Sequence, residues 1–488
     1  MSTHNGQNVY KMFGNAIFKS VAPLLTCFCL FTTAFGQHQT DNWLFGRGAG
    51  LQFRAGVASP LYGSRMNQTE GVATISDRRT GQLLFYSDGI NVWSSNNQIM
   101  PNGRNLFGSQ TSTQSALIVP FPGKESLYYL FTTRAFNDGA GGLYYSVIDM
   151  NLNNGLGDII NNQKNILLEQ RSTEKLTAVP HADKKNFWII SHKWDSDIFL
   201  VYLLTNKGIT ATQEIHIGTK HQAGIVGGSE AMGYLKASPD SRKIAAAVYG
   251  DLRPFELYDF NNQTGYLSNY QNLGDFKEQY GVSFSGDNTK LYLSGIGYDS
   301  GAYQFDLTDN SPPTILRMPD SLNYEKYNIF VSGSLQLGID GRLYSSTERG
   351  NLIVIQYPNK KGVACQPEYA NFNFESGKPF LGLPNFIQAF FDSTYNISPT
   401  IPVEPICSHT LNIYPNPISA GTLSIILDSS SCVPLNLCVY DLQGRLIDKY
   451  SNIVGRVIPL DVSWWAAGLY VIVFNYENNK IVKKVIKL

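Results

Sequence analysis

The chain has 488 residues, of which 43% are hydrophobic, 12% aromatic and only 16% charged, with Lys+Arg and Asp+Glu both at 38. Zero net charge excludes the basic footprint that nucleic acid or an anionic membrane surface requires. The length allows two or three domains, and the wealth of Gly, Tyr and Phe favours strands and turns over helices.

Residues 1–36 read as an export signal. Lys11 and Lys19 give a positive start, Val21–Phe35 is apolar and uncharged, and Ala34-Phe35-Gly36 is a small-x-small cleavage site before Gln37. A membrane span wants about 20 apolar residues; this run is shorter and carries Pro23, and no later segment is apolar enough to cross. The expectation is a mature chain without a transmembrane segment. Cys27 and Cys29 would leave with the signal. Cys365, Cys407, Cys432 and Cys438 would remain, either as buried thiols or as pairs such as Cys432–Cys438 and Cys365–Cys407.

From 41 to 393 one pattern recurs: a polar Asp/Gly/Lys turn, an aromatic or β-branched strand, a turn, and a second strand. It is clearest in Ala237–Phe260 (ASPDSRKIAAAVYGDLRPFELYDF) and returns with starts near 76, 121, 181, 284 and 338. The spacing of about 45–60 residues suits four-stranded propeller blades with loop insertions. Lys243–Tyr249 and Leu352–Gln356 are almost continuously apolar, as strands covered on both faces should be. The expected fold is all-β: a β-propeller, seven blades preferred over six, with a large β-sandwich as the alternative. In the seven-blade version Asn385–Phe391 pairs with Trp43–Phe53 to close the ring and remove exposed sheet edges.

The words Asp41–Phe53 (DNWLFGRGAGLQF), Glu70–Asp88, Asn91–Gly103, Ser112–Pro120 and Leu383–Phe391 (LPNFIQAFF) resemble the propeller-like N-terminal region of large secreted Bacteroidetes proteins, including some with gliding-motility-associated C-terminal modules. The resemblance implies a fold and no activity.

Candidate chemistry in this region is sparse. His192, beside Trp194, Asp195 and Asp197, is either a ligand or general base at an inner rim or a hydrogen-bonded histidine at a strand end. Glu70 starts the first inner strand and either faces the channel or is structural. His181 reads as a turn residue, and His216 and His221, in a polar loop, are weak evidence for a metal. No metal site is expected. Calcium at Asn137–Gly139, Asp195–Asp197 or Asp299–Gly301 is the minor alternative, because Asp-Gly turns are routine in β-proteins. No nucleophile elbow, phosphate loop or dinucleotide fingerprint is present. Trp93, Trp188 and Trp194 either line a binding face or fill the core between blades.

A linker follows at 394–410, extended by Pro399, Pro402 and Pro405. Residues 411–488 then read as a small Ig-like antiparallel β-sandwich, with Asp441–Gly444 (DLQG) as a hairpin turn. Tyr414-Pro415-Asn416-Pro417, Val439–Leu446 (VYDLQGRL) with Gly444, Gly468–Val473 (GLYVIV) with Tyr470, and Lys483–Leu488 (KKVIKL) with Lys483 and Lys484 fall in order at the C-terminus. They resemble the type A C-terminal sorting domain of the type IX secretion system. That resemblance implies export to the periplasm, passage through the outer membrane by the type IX machinery, and release or surface attachment. The expected cargo function is binding or adhesion to an extracellular glycan or protein. A polysaccharide-active hydrolase or lyase at the channel is the second expectation, and a structural part of a surface assembly the third.

Overall fold

The computed structural model describes residues 37–488 apart from 55, 137–140, 224–228, 298–299, 310, 318–331, 348–349, 393–394, 396–410, 420, 428–434, 454–456 and 477–478. The export-signal expectation and nearly all of the linker lie outside the described residues, as do Cys407 and Cys432.

The described part of the N-terminal region is a β-propeller of antiparallel meanders, seven sheets in chain order. Sheet one is Asn42–Phe45, Ala49–Arg54 and Val57–Pro60; sheet two is Ala73–Ser76, Leu83–Ser87 and Val92–Ser94. Sheet three holds Ala116–Pro120, Leu127–Thr133 and Leu143–Asp149, with Asp158–Ile159 and Ile166–Glu169 both paired to its third strand. Sheet four is Ser172–Pro180, Phe187–Lys193, Ser196–Thr205 and Gly208–His221. Sheet five is Leu235–Ala237, Lys243–Ala246, Arg253–Asn261 and Tyr266–Phe276. Sheet six is Gln279–Phe284, Lys290–Gly295, Ala302–Asp306 and Thr314–Leu316; sheet seven is Leu335–Leu337, Leu343–Ser346, Leu352–Ile355 and Pro367–Tyr369.

The first strand of each sheet contacts the first strand of the next, from sheet one through sheet seven. Apolar side chains fill each gap. Leu235 and Tyr258 pack with Val179 and Ile190 between sheets four and five, and Tyr292 packs with Leu343 and Ile353 between sheets six and seven. The last sheet returns to the first: Trp43 meets Tyr344 with ring centroids 5.4 Å apart, in one cluster with Leu352 and Val354. Both faces of most strands are therefore covered, which is why they lack alternation. This radial packing excludes the sandwich alternative. The strand expected over Lys243–Tyr249 stops at Ala246.

Closure differs from the expectation in its means. Residues 385–391 do not pair with Trp43–Phe53; Gln388–Phe391 is a 3-10 turn. The segment from Leu381 onward instead runs along the axis of the ring. The Leu381 carbonyl accepts from the Ser334 amide at 2.7 Å, and the Asn385 amide donates to the Val72 carbonyl at 2.8 Å. The Asn385 side chain donates to the Leu176 carbonyl at 3.0 Å and accepts from Gln114 at 3.3 Å and Lys236 at 3.4 Å, joining sheets three, four and five. Gln388 donates to Gln336 of sheet seven at 3.2 Å. Ile387, Ala389 and Phe390 join the core of sheets two to four, and Tyr395 is buried in the same cluster, close to Arg78 and Asp183 in hairpin turns at the far end. Apolar residues and amides explain the choice. At the ring's centre the first strand of each sheet is an edge whose inward backbone groups need partners, and a segment on the axis reaches several of them at once.

Residues 411–488 form two sheets around one core that includes Leu423, Ile425, Val439, Ile472 and Phe474. The three-stranded sheet is Leu411–Tyr414, Thr422–Leu427 and Val457–Asp461. The four-stranded sheet orders Leu446–Ile453, Leu435–Asp441, Gly468–Tyr476 and Asn479–Lys487. The DLQG hairpin is present, with Gly444 at φ +78° where only glycine is unstrained. Cys365 and Cys438 are free thiols, Cys365 buried and pushed up to about 11 by that burial. Among the described residues, no helix is long and apolar enough to cross a membrane.

Candidate functional site

Ionisable side chains gather at one end of the ring, where the first strands of the sheets begin. Gln114, just before sheet three, sets the level: its amide bonds the backbone of Leu176 and Leu235, in the first strands of sheets four and five. Around it stand Glu70 before sheet two, Glu174 and Lys175 in sheet four, Glu230 and Tyr234 before sheet five, and Tyr280 in sheet six. All are buried.

Glu70 accepts a hydrogen bond from the Tyr280 hydroxyl at 2.7 Å through Oε2. Burial, reinforced by the nearby Glu174 carboxyl, pushes its pKa up to about 8 despite that hydrogen bond. Glu174 accepts from the Thr113 amide at 2.8 Å, the Thr113 hydroxyl at 2.7 Å and the Phe136 amide at 3.2 Å; burial still raises it. Lys175 donates to the carbonyls of Glu230, Ala231 and Met232 at 3.2, 3.3 and 2.7 Å. Burial lowers it to about 8, opposed by Glu256, Glu174 and Glu230. Glu230 accepts from the Gln222 amide at 2.9 Å and pairs with Arg253 at 3.2 Å. Glu174 is thus held by sheet three and Glu230 by Arg253, whereas the second carboxyl oxygen of Glu70 has no partner among the described residues.

A second limb leads outward from Lys175 between sheets four and five. His221 meets Glu256 at 3.0 Å, and Glu256 also accepts from the Thr219 amide and hydroxyl and from Tyr258 at 2.8 Å. The His192 ring stacks on His221, and its Nδ1–H donates to the Lys193 carbonyl at 2.9 Å. That leaves His192 Nε2 and His221 Nδ1 buried without a partner. Burial drives both histidines well below 6.5.

The four residues singled out from sequence fall in four places. Glu70 is at the ring's entry end. His192 is fully buried in the second limb. Trp194 is 5% exposed and packs on Phe136, with ring centroids 4.2 Å apart. Asp195 sits on a surface turn at φ +58° and pairs with Lys220 at 2.9 Å. Trp93, Trp188 and Trp194 are core, not an open binding face: each is at most 5% exposed. Asp197 of the acidic turn bonds His216 at 2.9 Å; residues 137–139 and Asp299 lie outside the described residues. Sequence reading missed Glu174, Lys175, Tyr280, His221 and Glu256 as a group, since they come together only through packing of different sheets.

In the C-terminal unit, the expected sorting residues are brought together along the last strand. The Asn416 side chain donates to the Lys484 carbonyl at 3.0 Å and accepts from the Ile486 amide at 3.0 Å. Pro417 leads into Ile418, which pairs with Lys487. Tyr470 donates to the Ala466 carbonyl at 2.9 Å and packs on Trp465. Tyr414 is exposed. Gly468 opens the strand that runs beside Lys483 and Lys484.

Comparison with known proteins bears on this C-terminal unit. The family described as "Secretion system C-terminal sorting domain" matches residues 412–488. No curated protein matches the chain. Among solved structures, the periplasmic gluconolactonase of Pseudomonas aeruginosa is 13% identical, over 86% of this chain and 99% of that one, with a TM-score of 0.37. The structure described as the Dos1 propeller is 11% identical, over 71% and 81%, with a TM-score of 0.39. A quinonprotein alcohol dehydrogenase-like protein of Bacteroides thetaiotaomicron is 14% identical, over 72% and 66%, with a TM-score of 0.31.

Proposed function

Given that residues 412–488 carry a type IX secretion sorting domain, which implies export and either release or attachment at the cell surface, we propose that the propeller is a ligand-binding cargo module. Its ligand is an extracellular glycan or protein, engaged at the entry end of the ring around Glu70. The observation that carries this reading is the Glu70 carboxyl, held on one oxygen by Tyr280 and open on the other. Below about pH 8 the open oxygen carries the proton, and a ligand hydroxyl or carbonyl oxygen accepts it. Such a contact is strong where water is scarce, because a buried polar group left unpaired is costly. The test is an array of glycans and proteins probed with the secreted protein and with Glu70→Ala. Binding that the variant loses supports the site, and equal binding by both moves it elsewhere.

A second reading is favoured by one feature. A carboxylic acid that keeps its proton to about pH 8 beside another carboxyl has the form of a general acid. On that reading the module is a hydrolase or lyase acting on polysaccharide, with Glu70 as proton donor. Release of reducing ends or unsaturated products from a polysaccharide panel, abolished in Glu70→Gln, separates it from simple binding.

A further inference from the structure

The four-stranded sheet of the sorting domain has one face in the domain core, through Ile472, Phe474 and Val485. A sheet covered on one side should turn polar residues to the other. This one does not. Register sets Val473 opposite Val482, Val471 opposite Lys484, and Leu469 opposite Ile486 on the outer face. Leu446, paired to Tyr440, extends the same face across the sheet. With the whole chain present, Val482 is 51%, Ile486 44% and Leu446 53% exposed. Val473 between them is buried, at 7% exposed, so the open apolar side chains are Val482 and Ile486 on the last strand and Leu446 on the opposite edge strand; exposed apolar residues grouped on one face mark a contact face. Lys484 stands within it and Lys449 on its margin, both exposed and neither with an acidic partner among the described residues.

We propose that this face is where the secretion machinery docks. The partner surface it fits is apolar and carries carboxylates facing Lys484 and Lys449. The inference rests on the sorting assignment of 412–488, which says what this unit meets but not with which side. Apolar contact would supply the affinity and the lysines the register, since charge at a rim steers more than it binds.

The experiment follows delivery of the full chain in a host with type IX machinery, comparing periplasm with surface and medium. Val482→Glu with Ile486→Glu should reduce delivery about tenfold or more, the change expected from loss of roughly 1.4 kcal/mol of docking energy. Trp464→Glu, exposed at 57% in the connection between Val457–Asp461 and Gly468–Tyr476 and outside this face, should be delivered normally. Because glutamates in a strand can unfold it, Val482→Thr with Ile486→Thr is the milder pair, and limited proteolysis of the full chain checks that each variant keeps its fold. Lys484→Glu should fall while Lys484→Arg holds. Normal delivery of both double variants overturns the docking face. If deletion of 411–488 also leaves delivery unchanged, the sorting assignment itself fails; if deletion blocks delivery, only the face is wrong. A concentration-dependent dimer lost in the double variants without loss of delivery assigns the face to a second copy and likewise overturns the proposal.

Discussion

The imidazole rings of His192 and His221 stack with centroids 3.8 Å apart, both fully buried between sheets four and five. Lys175, Arg253, Glu256 and Tyr258 surround them. Burial holds both rings neutral, with pKa values well below 6.5. The unfolded chain protonates them near 6.5, so it binds more protons below that pH. Stability is therefore complete above about 6.5 and falls with acidification, by about 1.4 kcal/mol per pH unit for each histidine. His192→Phe keeps a flat ring on His221 and should remove one histidine's share of that slope. Urea midpoints from pH 7.5 to 5 measure it; an unchanged slope contradicts the assignment.

Glu70 has the opposite sign. Its folded pKa, near 8, lies above the value of 4.5 for a free side chain, so the folded state holds the extra proton. Its contribution is complete below about 4.5 and is lost as pH rises to about 8. Glu70→Gln keeps an acceptor for Tyr280 but no longer titrates. Relative to the parent, the variant should gain stability between pH 5 and 8, by up to about 1.4 kcal/mol per unit, in thermal melts taken across that range.

Asn385 serves three sheets at once from the axial segment. Asn385→Ala removes one donor to the Leu176 carbonyl and the acceptor shared by Gln114 and Lys236, and should cost about 1–3 kcal/mol in denaturant unfolding. Gly382→Ala should cost more, because a Cβ there would lie 1.6 Å from the Glu70 carbonyl oxygen. Parent-like stability in Gly382→Ala would mean the axial segment passes Glu70 at greater distance.

Truncation separates the axial segment from the sorting domain. A chain ending just after Tyr395 retains every contact described along the axis and should resist proteolysis as the parent propeller does. A chain ending before Lys378 loses them and should be cut readily within sheets two to five. Equal resistance of the two would remove the axial segment from any part in stability.

Much of this architecture was written in local chemistry. Five of the repeat starts coincide with turns between first and second strands, where Asp77, Asp183, Asp240, Asp287 and Asp340 each accept from an amide two or three residues on. Such turns need only neighbours, so they show in a sequence. Sheet one, which turns through Gly46-Arg47-Gly48, carries no such aspartate and gave no repeat. Leu383–Phe391 has the apolar content of a strand, and nothing local says that it will thread an axis rather than join an edge. The Glu70–Tyr280 contact spans 210 positions. His192 was visible as an unusual residue, but its partner His221 lies on the edge strand of its sheet, where the pattern read as loop.

Residues 381–388 bond backbone or side chains of sheets three, four, five and seven and of the entry to sheet two. The same short segment therefore rivets blades that lie far apart in the chain, and the seam between the last sheet and the first cannot spread without also breaking bonds to blades away from that seam.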